Sequence, residues 1–331
     1  MASPAGPATT VMNVVVSHWS ANAAVLAVVA AVAAAHLRGL RGMAADARRG
    51  GDMPRGLGRE VAAFYGGLFV VVLALLSPLA YWSAHYIWVR SVQDVLLANL
   101  APVFLVLGAP WLALRRGLPL RLPRAHRPGR DPGAGRDPGA GRDPGTGRDP
   151  GTERETDPGR AARLARGSVL TVIAFNVAWC GWHLPALYDG ALRYPALYAA
   201  EVMTYLGLGV AFWLQLIGSR PLSPALAPLR RVALLAGTII VSTVLGMVLV
   251  FGYGLAYPGY AAPGRRVLSV VYDQQAGGAV LWVLVLLAYV TVGVALLIRW
   301  LNDEECQALA SGLDRLLKPA KPAWPSRPGV R

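Results

Sequence analysis

Apolar residues in this chain come in blocks, and the blocks have the length of a bilayer. Runs near Ala21–His36, Val61–Trp82, Val92–Leu114, Val169–Tyr188, Ala196–Ile217, Val232–Phe251 and Ala276–Leu301 contain little that is charged. A helix crossing the hydrocarbon layer needs roughly 20 such residues. The first run is the shortest and the richest in alanine. All seven are continuous rather than alternating, which excludes a membrane β-barrel. The composition agrees, with 55% hydrophobic and only 15% charged residues, against about 25% charged in an ordinary soluble domain. The expected fold class is all-α: a polytopic membrane protein with seven transmembrane helices.

The net charge of +14 would point to nucleic acid in a soluble protein. Here the placement of the basic residues points elsewhere. Segments 38–60, 115–167, 218–231 and the tail from Arg299 hold 6, 13, 3 and 6 Lys/Arg, together 28 of the 32 in the chain. The four intervening segments hold the other 4, and the two sets alternate without exception. Cytoplasmic loops carry the excess of Lys and Arg, so the N-terminus is expected outside and the C-terminus in the cytoplasm. The expected partner of the apolar surface is the lipid bilayer, and no nucleic acid is expected.

This topology divides the chain into an outer segment 1–18, a seven-helix domain 19–305 and a cytoplasmic tail 306–331. The domain is interrupted by the loop 115–167, in which Arg130-Asp131-Pro132-Gly133 recurs from Arg136, Arg142 and Arg148. Proline blocks helix there, aspartate cancels arginine, and nothing apolar is available to bury, so a disordered linker is expected. Only two cysteines occur. Cys180 falls within a helix and Cys306 in the tail, so no disulfide joins them. The first apolar run lacks a basic segment before it and reads as a retained helix rather than a signal peptide.

The polar residues that the spans tolerate are few. Segment four exits through Trp182-His183-Leu184-Pro185, which puts a histidine at a helix end. Arg90 and Asp94 enter segment three four residues apart, on one face, and can pair. Glu201 lies in the first two turns of segment five, where a helix N-terminus favours negative charge. Asp273-Gln274-Gln275 opens segment seven, with Asp273 well placed as an N-cap. His18 and His36 are expected at the two interfaces. By topology, His183, Arg90, Asp94, Glu201, Asp273, Gln274 and Gln275 all fall near the outer ends of their segments. Polar groups at that depth must satisfy one another or meet water, so a shared outward pocket is expected. One imidazole among carboxylates and amides is a thin donor set for a metal. Cys180 and His183 share a face as a conceivable copper(I) pair, against the reading of Cys180 as a buried structural thiol. No nucleophile with its base, no phosphate loop and no paired carboxylates stand at a spacing that catalysis needs, so no enzyme is expected.

Several pieces, in order, resemble the bacterial CtaG-type cytochrome c oxidase assembly factors, a seven-helix membrane family. They are Leu96-Leu97 with Ala101-Pro102-Val103-Phe104-Leu105-Val106-Leu107-Gly108-Ala109-Pro110, Trp182-His183-Leu184-Pro185-Ala186-Leu187-Tyr188-Asp189, Phe212-Trp213, Tyr257-Pro258-Gly259-Tyr260, Asp273-Gln274-Gln275-Ala276-Gly277-Gly278 and Arg299-Trp300-Leu301. The resemblance covers about Val61 to Glu305. It implies a non-enzymatic protein of the bacterial plasma membrane that assists maturation of a haem–copper oxidase. Oxidase subunits would be its partners and copper the metal it handles, with His183 and Glu201 at positions that match the family's metal-binding motifs. The chain also departs from the pattern. Where the family typically shows His-x-x-x-His entering helix three, Arg90 and Asp94 stand here. Where it shows His-x-x-Glu-His entering helix five, Tyr198, Glu201 and Val202 stand. Those changes exchange metal ligands for an ion pair. A transporter or small-molecule binder using the same outer polar pocket is the alternative reading.

Overall fold

The computed structural model describes residues 18–50, 56–118, 158–252, 254–261 and 269–317, without the side chains of 158–161 and 303–317. The Arg-Asp-Pro-Gly tract, segment 1–17 and residues 318–331 lie outside the described residues.

Among the described residues, seven helices are long and apolar enough to cross a membrane. They are α1 (Ala23–Arg48), α2 (Leu57–Leu76), α4 (Ile87–Leu107), α6 (Pro158–Trp182), α8 (Pro195–Leu216), α9 (Pro228–Phe251) and α10 (Val270–Leu317). Three short helices, α3 (Pro78–Ser83), α5 (Trp111–Gly117) and α7 (Pro185–Arg193), lie between them. Among the described residues there is no strand, only an isolated bridge between Ser219 and Leu222. Large side chains such as Phe69, Met203 and Phe251 are more than 60% exposed. In a bilayer, that is the surface lipid covers.

The helix ends follow local chemistry. The Asn22 side chain accepts from the Ala24 and Val25 amides at 3.1 and 3.3 Å and caps α1. Pro78, Pro185, Pro195 and Pro228 each occupy the first helical position of α3, α7, α8 and α9, where the missing N–H costs nothing. Proline also explains where the apolar runs were read too long. The second run was expected to reach Trp82, but the helix stops at Leu76 and Ser77 caps a new helix. The fourth was expected to reach Tyr188, but it stops at Trp182 before Pro185. The third starts at Ile87 rather than Val92 and ends at Leu107 rather than Leu114. Arg90 and Asp94 therefore both lie inside the spanning helix.

Within α4, residues Leu96–Leu100 widen into a π turn. Pro102 has no N–H to offer the Ala98 carbonyl and its ring would crowd that carbonyl, and the wider turn relieves both. Gly209 of α8 faces the same carbonyl, and a side chain there would meet Ala98 and Pro102. Across the bundle, Tyr289 of α10 donates a 2.6 Å hydrogen bond to Asn99 Oδ1 in the π turn. On α9 and α10, Gly246 and Gly278 let the backbones meet, since a Cβ on either would stand 2.8 Å from the other's carbonyl oxygen. Small residues at such crossings are what membrane helices use to pack. His36, expected at the inner interface, is packed between α1 and α2. It is 2% exposed, with its ring 4.1 Å from Phe64 and Nδ1 3.5 Å from the Tyr65 hydroxyl.

Candidate functional site

The ends of α2, α4, α6, α8, α9 and α10 that lie away from the arginine-rich loops enclose a polar centre. Arg90, in the first turn of α4, is 2% exposed. Its Nη2 donates to Glu201 Oε2, and its Nε lies 3.8 Å from Asp94 Oδ1, one turn along the same helix. The guanidinium also lies over two rings, 5.2 Å from the centre of Tyr188 and 5.1 Å from that of Tyr198. Cation–π contacts of that geometry are worth about 2 kcal/mol when desolvated. A buried guanidinium needs all of this, because its desolvation is only offset by good geometry with opposite charge.

His183 completes the group. Its Nδ1 lies 2.7 Å from the Trp179 carbonyl, which can only accept, so Nδ1 carries the hydrogen. Its Nε2 faces Asp94 Oδ2 at 3.8 Å. A neutral imidazole presents a lone pair there, toward a carboxylate oxygen that is also an acceptor. A proton on either atom makes the two into a donor and an acceptor. Burial pushes the His183 pKa down to about 4, with the Arg90 charge adding to the effect and the bond to Trp179 opposing it.

Aromatic residues wall the centre. Tyr188 and Tyr257 stack at 4.1 Å. Tyr257 donates to the His183 carbonyl and Tyr260 to the Ser83 carbonyl, both at 2.9 Å. Asp189 Oδ2 accepts from the Gly259 amide at 2.9 Å. These bonds tie the Pro258–Ala261 turn to α7 and α3 over the site. Beneath it, Gln93 Nε2 donates to the Ala74 carbonyl at 2.7 Å and to the Tyr198 hydroxyl at 2.9 Å.

Of the seven residues expected to converge, four do: Arg90, Asp94, Glu201 and His183 form one chain of contacts. The Asp273-Gln274-Gln275 triplet does other work. Asp273 lies in the first turn of α10 rather than at its N-cap, and the Ser269 hydroxyl accepts at the start of that helix from Tyr272. Asp273 caps α4 instead. Its two oxygens accept from the Ile87 and Trp88 amides at 3.0 and 3.1 Å, so a carboxylate meets the positive end of a neighbouring helix. Gln274 fastens the loop after α9, accepting from the Ala256 amide at 2.7 Å and donating to the Gly254 carbonyl at 3.2 Å. Gln275 is half-buried and makes no hydrogen bond among the described residues. Sequence reasoning missed Gln93, Tyr198 as the second ring under Arg90, and Asp189. The Tyr188-Asp189 and Tyr257-Pro258-Gly259-Tyr260 pieces had been noted only for their resemblance.

Residues 34–303 match the family model described as cytochrome c oxidase caa3 assembly factor. The chain belongs to that family. No curated protein and no solved structure matches it. As a seven-helix member of a bacterial assembly-factor family, this is a multi-pass cell-membrane protein.

For copper, the donors in this assembly factor's centre do not fit. Among the described residues, no three His, Cys, Asp or Glu side chains are grouped to hold a metal ion. Arg90 stands between the carboxylates with a permanent positive charge, where a cation would have to sit. Both ring nitrogens of His183 are directed elsewhere than to Cys180, whose half-buried thiol belongs to the packing of α6. Copper(I) selects soft sulfur and imidazole ligands, and one imidazole with two hard carboxylates is not that set.

Proposed function

We propose that this protein assists assembly of a cytochrome c oxidase by binding its subunits within the membrane, without catalysing a reaction. Membership of the caa3 assembly factor family over residues 34–303 carries this reading. The Arg90-centred group supports a binding role over a chemical one, because its charged atoms are turned on one another and, among the described residues, no serine or cysteine side chain is hydrogen-bonded to His183. The alternation of basic loops supports an outer-face position for this end of the bundle. In this reading the centre is a rigid outer platform. The arginine supplies in fixed form the positive charge that a metal would bring, and copper handling is not resident here.

The test is a deletion strain. Oxidase subunits are expected to be transcribed as before while the assembled oxidase in the membrane falls several-fold. Normal assembled oxidase in that strain contradicts the assembly role. Metal content of the purified protein under reducing, copper-replete conditions checks the second part. Well under one copper per chain is expected, and one per chain that is lost in His183→Ala contradicts it.

A further inference from the structure

At the opposite end of the bundle, α6 and α9 leave a groove of about 610 Å³. Val169, Leu170, Ala233 and Leu234 line it with apolar surface, and Arg166 and Arg230 stand at its mouth. We propose that this groove binds an anionic phospholipid, its phosphate held by Arg166 and Arg230 and an acyl chain lying along Leu170 and Leu234.

Three observations converge on that ligand. First, both guanidiniums are exposed and neither has an acidic or hydrogen-bonding partner among the described residues. Two other arginines near this end do have acidic partners, Arg116 with Asp46 at 3.1 Å and Arg220 with Glu60. Second, the start of α9 is built against itself. Ala227 provides no side-chain cap and no acid lies in the first turn, yet Arg230 and Arg231 follow at once. Cations are unfavourable at the positive end of a helix, where free amides attract an anion. A phosphate offsets both the uncapped amides and the crowded charge. Arg231 cannot serve in place of Arg230, because its Nε donates to the Leu226 carbonyl at 2.7 Å. Arg299 of α10 also lies close enough for its charge to act on Arg231, so the positive field extends beyond the groove. Third, the wall below the arginines is apolar and open on the lipid-facing surface, with Leu170 64% exposed. A free inorganic anion has no use for that wall, whereas a lipid has. Basic pockets between membrane helices at the headgroup level are where anionic lipids are held.

The test uses the full-length protein in mild detergent, probed with phosphatidylglycerol, phosphatidylcholine and inorganic phosphate. Native mass spectrometry reads retained lipid. Wild type is expected to retain phosphatidylglycerol about 10- to 30-fold over phosphatidylcholine, from two headgroup contacts. The Arg166→Gln/Arg230→Gln variant loses that preference, while Arg166→Lys/Arg230→Lys keeps most of it. A control pair, Arg48→Gln/Arg49→Gln, removes the same charge from the exposed end of α1 and leaves the preference intact. Equal retention by wild type and the glutamine variant overturns the proposal. So does equal loss in the control pair, or displacement of the lipid by millimolar phosphate.

Discussion

Arg90 and Glu201 lie 111 residues apart in the chain and meet as an ion pair in the interior of the bundle, with side chains 2% and 1% exposed. The pair joins α4 to α8, and through Asp94 and His183 it reaches the end of α6. The four residues that converge, from α4, α8 and the end of α6, are thereby referred to one guanidinium.

Removing one partner of that pair leaves a buried charge uncompensated. Glu201→Leu or Arg90→Met alone is expected to cost about 3–5 kcal/mol, while a well-packed apolar replacement of both costs much less. Thermal unfolding of the purified protein checks this. The double variant Arg90→Met/Glu201→Leu should unfold well above either single variant. Simple addition of the two single losses would show that the pair is not coupled.

Asp273 spends its charge on another helix's end. Asp273→Ala leaves the Ile87 and Trp88 amides unpaired in the interior, at a cost of about 1–3 kcal/mol. Asp273→Asn keeps one acceptor and should fall between Ala and wild type. Hydrogen exchange at the first turn of α4 should rise in Asp273→Ala before exchange elsewhere does. Unchanged exchange there contradicts the cross-helix cap.

Stability should depend on pH through His183. Its folded pKa is pushed down to about 4, against an ordinary value of 6.5. Between those values the unfolded chain binds a proton that the folded chain does not. The contribution of neutral His183 is therefore complete above pH 6.5 and is lost progressively as pH falls toward 4. The loss amounts to about 3 kcal/mol at the acid end. Melting temperatures measured from pH 7.5 to 4 should change less favourably toward acid in wild type than in His183→Gln, the difference being the part that His183 contributes. Parallel slopes for the two would contradict this role of His183.

Much of the fold was legible because a bilayer imposes a length and forbids charge, so seven apolar runs and seven spanning helices coincide. Their ends were less legible. Ser77-Pro78 and Leu184-Pro185 stop helices inside apolar sequence that hydropathy alone carries onward. The polar centre was half legible. Arg90 and Asp94 announce themselves as charges where a span begins, and Glu201 and His183 lie at matching depth. Depth does not give azimuth, however, so Asp273, Gln274 and Gln275 were grouped with residues they do not touch. Nor does a sequence show that an N-cap can serve the helix next door. Gln93 and the tyrosines carried no signal of their own, because in a membrane helix they look like ordinary interior and interface residues until a charge is found among them.

The central claim is that oxidase assembly depends on the Arg90-centred group as an ionic platform. The most direct measurement is the amount of assembled cytochrome c oxidase in membranes of a deletion strain complemented with wild type or with Arg90→Met/Glu201→Leu. The two proteins are compared at matched levels by immunoblot. Wild type is expected to restore the oxidase and the double variant to leave it near the deletion level. Full restoration by the double variant would contradict the claim.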